Sequence, residues 1–129
     1  MLKRTLIGLI RSFETTGEKA RTPELKTRYY KLSKENAWEE LVSIMKKKPG
    51  YKVLHEVKNV GEIVCEKRTI TGRVQDITIT VIAVSPVKTA VDIYSASRGS
   101  LGDLGSNYRT ILDIFRTIDS KLSQYKTES

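Results

Sequence analysis

From residue 51 onward, apolar and polar side chains alternate through four runs, 51–58, 62–69, 73–84 and 88–98. Turn-forming groups separate them: Asn59-Val60-Gly61, Thr71-Gly72 and Ser85-Pro86-Val87. A period of two is that of a strand with one buried face, and short turns make successive strands antiparallel, so the runs predict a four-stranded meander. The apolar set falls on odd numbers: Tyr51, Val53, His55 and Val57, then Ile63 and Cys65, then Ile77, Ile79 and Val81, then Val91, Ile93, Ser95 and Ser97. A three-residue first turn with Gly61 in the left-handed region keeps these residues together. It predicts one cross-sheet row of Val57, Ile63, Ile79 and Ser95, and a second of His55, Cys65, Ile77 and Ser97.

Two segments repeat with the period of a helix instead. After Ser33, a plausible N-cap, the residues Ala37, Trp38, Leu41, Val42, Ile44 and Met45 give one apolar face, closed by Lys46-Lys47-Lys48-Pro49-Gly50, which predicts a helix over 33–48. Tyr108, Ile111, Phe115, Ile118, Leu122 and Tyr125 recur at intervals of three and four and predict a long final helix. A sheet with one apolar face and two amphipathic helices make an α+β sandwich in the order helix, four strands, helix.

Near the start, Leu2, Leu6, Leu9, Ile10 and Phe13 form a short apolar stripe beside Lys3, Arg4 and Arg11. Such a stripe can dock on the domain, make a dimer contact, or lie on an anionic membrane surface. It is too short for an export core or a transmembrane helix, which favours a cytoplasmic protein, at most peripheral to the membrane. The polar stretch 15–23, with Gly17 and Pro23, reads as a linker, so residues 1–23 are an accessory segment and 24–129 one α+β domain.

Composition adds charge to this picture. The formal net charge is +8, and residues 1–31 hold eight lysines and arginines against three glutamates. That excess suits an acidic protein, anionic lipid or, less well, nucleic acid. Tyr29, Tyr30, Tyr51, Tyr94 and Tyr108 could stack bases, but their spacing matches no RNA-recognition module. One cysteine excludes an intramolecular disulfide and suits a reducing compartment.

The densest candidate chemistry lies between 92 and 111, where a strand ends in Ser95, Ser97 and Arg98, and a glycine-bearing turn leads through Asp103 to Asn107 and Arg109. In one reading the residues are structural: Asp103 or Ser106 caps the helix, Asn107 bonds the loop, and Arg98 pairs with Asp103 or Asp76. In the other, Arg98, Arg109 and the helix N-terminus bind a carboxylate or phosphate while Ser95, Ser97 and Asn107 orient it. A catalytic version with Asp76 or Asp103 as base and Ser95 or Ser97 as nucleophile has no histidine placed to activate the serine. His55 opposite Cys65 would be a nucleophilic pair only if the thiol were activated, and a mid-strand cysteine is not. No metal site and no cofactor motif is expected, and the residues favour a non-enzymatic domain.

The run Ser95-Ala96-Ser97-Arg98, followed by Asp103-Leu104-Gly105, Asn107 and Ile111, resembles the C-terminal signature of the family called domain of unknown function 1499, and Asp76 resembles its acidic position on the preceding strand. The chain departs from that pattern at Ser100, where the family has glycine, and at Thr110, where it has arginine. The resemblance implies a shared fold over about residues 27–120, and a single hydrogen-bonded cluster of Ser95, Arg98, Asp103 and Asn107. It implies no activity.

Overall fold

A computed structural model describes residues 13–68, 72–98 and 105–128. Helix α1 spans Lys34–Lys47, and the hydroxyl of its N-cap Ser33 accepts the Asn36 N–H at 3.1 Å. One face of α1 buries Ala37, Trp38, Leu41, Ile44 and Met45. Lys46 and Lys47 stand in its last turn, where they complement the negative end of the helix dipole. The four expected strands follow: β3 Tyr51–Val57, β4 Glu62–Arg68, β5 Val74–Ser85 and β6 Lys88–Ser97, paired in sequence as an antiparallel meander. Helix α2, Ser106–Lys121, buries Ile111, Ile114, Phe115 and Ile118.

The expected four strands belong to a larger sheet of seven, so the expected element order needs correcting. Two short strands precede α1, namely β1 Phe13–Thr15 and β2 Arg28–Tyr30, and both lie antiparallel along the free edge of β6. A last strand, β7 Lys126–Thr127, pairs with β2. The apolar stripe that reaches Tyr125 does not stay helical: α2 ends at Lys121 and Ser123–Tyr125 forms a 3-10 turn leading into β7. Strands of two or three residues are too short to show a period, and cross-strand pairing alone creates them.

The segment read as a linker is tied to the sheet. Thr16 N–H donates to the Ile93 carbonyl at 2.9 Å, Ile93 N–H donates to Thr16 Oγ1, and the hydroxyls of Thr16 and Thr27 both donate to Asp92 at 2.7 Å. Arg28 stacks 4.5 Å above the Phe115 ring and donates to the carbonyls of Glu24 and Lys26. Part of the basic excess near the N-terminus is therefore packing. Leu2, Leu6, Leu9 and Ile10 lie outside the described residues, whereas Phe13 stacks on Tyr94 with ring centroids 5.7 Å apart.

Register departs from expectation in an instructive way. Between β4 and β5 it is as read, with Ile63 opposite Ile79 and Cys65 opposite Ile77. The first hairpin turns through four residues rather than three, which alone would send every odd side chain of β3 to the solvent face. A bulge at Leu54 restores the parity, so Val53 faces Cys65, but between bulge and turn the faces stay exchanged: His55 pairs with Val64, and Val57 with Glu62. The β5–β6 hairpin repeats the device with a tight Pro86-Val87 turn and a bulge at Val84. Ile79 thus faces Ile93 and Ile77 faces Ser95, a shift of two places that leaves Ser95 and Ser97 on the core side.

Candidate functional site

Where β5 begins and β6 ends, the core face of the sheet changes from apolar to polar. Gln75, Ser95 and Ser97 point under the first two turns of α2, which supply Ser106, Asn107 and Thr110. Asn107 bridges two rungs of β6: Ser95 Oγ donates to its Oδ1 at 2.6 Å, and its Nδ2 donates to Ser97 Oγ at 3.0 Å. Beside it, Thr110 Oγ1 donates to Gln75 Oε1 at 2.6 Å, and Gln75 Nε2 donates to the Ser106 hydroxyl. Gln75, Ser95 and Asn107 are fully buried. Water cannot replace a lost partner there, so the arrangement fixes where α2 sits on the sheet. Gly105 opens the helix at φ 84°, and the Arg109 N–H donates to its carbonyl.

Arg98 does not join this network. Its even number places it on the opposite, solvent-facing side of the sheet, where Nε and Nη2 grip Asp76 at 2.9 and 2.7 Å and Nη1 lies 3.8 Å from Glu66. The Asp76 hydrogen bond, supported by its charge, makes the guanidinium hold its proton more tightly than usual. The single cluster implied by the family signature is therefore divided: Ser95, Ser97 and Asn107 are together, Arg98 is across the sheet, and Arg109 is exposed on α2. Asp103 lies outside the described residues.

Sequence reasoning passed over Gln75 and Thr110 as partners and read Ser106 as a helix cap, whereas Gly105 is the N-cap and Ser106 meets Gln75. Gln75 sits one odd step before Ile77, so the alternation that marks the buried face reaches it, and a polar residue at such a position signals a polar partner. Two arginines were also missed. The register puts Arg68 opposite Val74, next to Arg73, while Arg98 N–H donates to the Val74 carbonyl. Arg68 and Arg98 thus share the outer face where β5 starts, Arg73 adjoins them in sequence, and Glu66 and Asp76 lie beside Arg98.

A second polar group holds the middle of α2. Tyr51 donates to Asp113 at 2.8 Å, and Lys48 contacts Asp113 at 3.2 Å and Thr117 at 2.6 Å. Burial opposes ionisation of Asp113, but the hydrogen bonds from Tyr51 and Lys48 outweigh it and hold the carboxyl below its usual range. Further along, the buried Tyr30 donates to Asp119 at 2.6 Å.

The cysteine and histidine are separated. His55 is exposed on the outer face, while Cys65 is buried among core residues and burial pushes its thiol up to about 11. A neutral thiol without a nearby imidazole is not an activated nucleophile. Among the described residues no group of three or more His, Cys, Asp and Glu could hold a metal ion, and no helix is long and apolar enough to cross a membrane.

These features define an α+β domain: among the described residues two helices cover one face of a seven-stranded antiparallel sheet, and a buried polar lock joins the second helix to the sheet end. The chain belongs to the family described as protein of unknown function DUF1499, whose model matches residues 11–118. No curated protein matches it at a significant level.

Proposed function

We propose that the domain is a non-catalytic binding module that takes a phosphate or carboxylate group at its arginine-rich end. The observation that carries this reading is the placing of Arg68, Arg73 and Arg98 around the start of β5, at the sheet end where Gln75 holds the α2 N-terminus through Ser106. Guanidinium groups suit such ligands because their paired N–H donors match two oxygens at once. Asp76 orients Arg98 and partly neutralises it, so a ligand competes with Asp76 for that cation rather than meeting a bare charge.

The division of labour also argues for binding over catalysis. The serines that could attack a substrate are engaged with Asn107 in the core, and the thiol is held protonated by burial. In an amide chemical-shift titration with phosphate, sulfate, nucleotides and small carboxylates, this reading expects saturable changes at Arg98 and from Ser106 to Arg109. Arg98→Ala should fold normally and weaken binding about tenfold, the scale of a charge-assisted contact. Silence at these amides, or full affinity in folded Arg98→Ala, rejects it.

A further inference from the structure

At the other end of the sheet the surface chemistry reverses. Seven large hydrophobic residues are exposed among those described, and five of them, Val57, Val60, Ile82, Val84 and Val87, lie at the β3–β4 and β5–β6 turns. The remaining two, Phe13 and Tyr94, stack on each other. The first turn is tied to β5: Val81 N–H donates to the Gly61 carbonyl at 2.7 Å, which sets Val60 beside the strand bearing Ile82. Neither valine display is accidental to the backbone, because the four-residue first turn sends Val57 outward and Val84 is itself the extra residue of the second bulge. Val87, at the tip, is 71% exposed.

Lysines surround these side chains. Lys58 belongs to the first turn, Lys88 follows the second, Lys34 lies against Gly61, and Lys31 continues β2 beyond its pairing with Thr89 next to Lys88. The acids nearby are Glu62 at the start of β4, Glu56, which adjoins Val57 and pairs with Lys46, and Glu35, 3.8 Å from Lys58.

We infer that this hairpin end is a docking surface for an anionic lipid bilayer. The aliphatic tips enter the boundary between headgroups and acyl chains, and the lysines around them stay with the lipid phosphates. A second copy of the chain fits less well: the exposed parts of five such side chains amount to roughly half of the ~800 Å² per partner that a stable protein interface buries. They also stand on two turns that project from the sheet instead of lining a groove. This surface is separate from the arginine-rich end and does not depend on it.

The test is co-sedimentation of the full chain with vesicles of phosphatidylcholine alone and of phosphatidylcholine with phosphatidylserine, at low and high salt. Binding is expected to the serine-containing vesicles, weakened by salt, and to fall at least about tenfold in Val84→Glu/Val87→Glu, which removes the apolar tips and adds repulsion. Leu6→Glu/Ile10→Glu alters the N-terminal apolar stripe instead and is expected to retain that binding. No binding of the intact chain at low salt overturns the inference, as does undiminished binding of a folded Val84→Glu/Val87→Glu variant. Light scattering supplies the last outcome: a dimer that this variant converts to monomer identifies the surface as a contact between copies and overturns the lipid assignment.

Discussion

The two ends of strand β5 are held by opposite means. At its beginning, side chains do the work: Gln75 reaches Ser106 and Thr110, Asn107 spans Ser95 and Ser97, and Tyr51 and Lys48 converge on Asp113. Towards its far end a backbone contact, Gly61 to Val81, links the first turn to β5, and the side chains beyond are aliphatic and exposed. The first arrangement tolerates little change, because its buried polar side chains rely on one another. The second leaves its side chains free to vary. A domain built this way carries its conformational specification at one end and its adaptable surface at the other.

Asn107→Ala should break the comparison most severely. It leaves Ser95 and Ser97 buried without their shared partner and opens space under α2. Lost hydrogen bonds and desolvated hydroxyls together should cost about 2–4 kcal/mol, against under about 0.5 kcal/mol for Val87→Ala at the exposed tip. Urea denaturation of both variants checks the contrast. Equal costs would mean that the lock does not distinguish the two ends.

Gly61→Ala asks whether the hairpin end has a constraint of its own. Gly61 has φ 82°, and a Cβ there would collide with the Val81 carbonyl while Lys34 closes the other side. Strain and displacement of that backbone contact should cost about 1–3 kcal/mol, read as a lower urea midpoint, with amide exchange faster at Val81 than at Asn107. Exchange accelerated equally at both sites would show that the ends open as one unit.

What the chain discloses before folding follows the same division. Long periodic runs were legible: the boundaries of the four strands and of α1 fall within one residue or two of expectation, and the odd-numbered core face holds through β4, β5 and β6. Bulges were not, because an extra residue leaves the local period intact on either side. Only the pairing shows that Leu54 and Val84 are supernumerary, and hence that His55 and Val57 face outward. At the candidate site, Ser95, Ser97 and Asn107 were readable as one group. Arg98 was misplaced with them because adjacency in sequence hides that consecutive strand residues face opposite ways.

Acid sharpens the comparison with the smallest effect. The folded protein holds Asp113 below its ordinary value, so at neutral pH the carboxylate is ionised in both the folded and unfolded chains and its contacts with Tyr51 and Lys48 add stability. As pH falls through the unfolded value, near 3.9, the unfolded chain takes up the proton first, and the contribution is lost by the time the folded carboxyl protonates. The Asp113 side chain is 37% exposed, so solvent screening limits the contribution to at most ~1 kcal/mol. Asp113→Asn should therefore lower stability slightly at pH 7 and flatten its decline between about pH 5 and pH 2. In the unaltered chain, acid should accelerate amide exchange in α2 before it does so around Gly61 and Val81, once exchange is corrected for its own pH dependence. If the hairpin end loosens first, the titrating contacts at Asp113 are not what distinguishes the polar end.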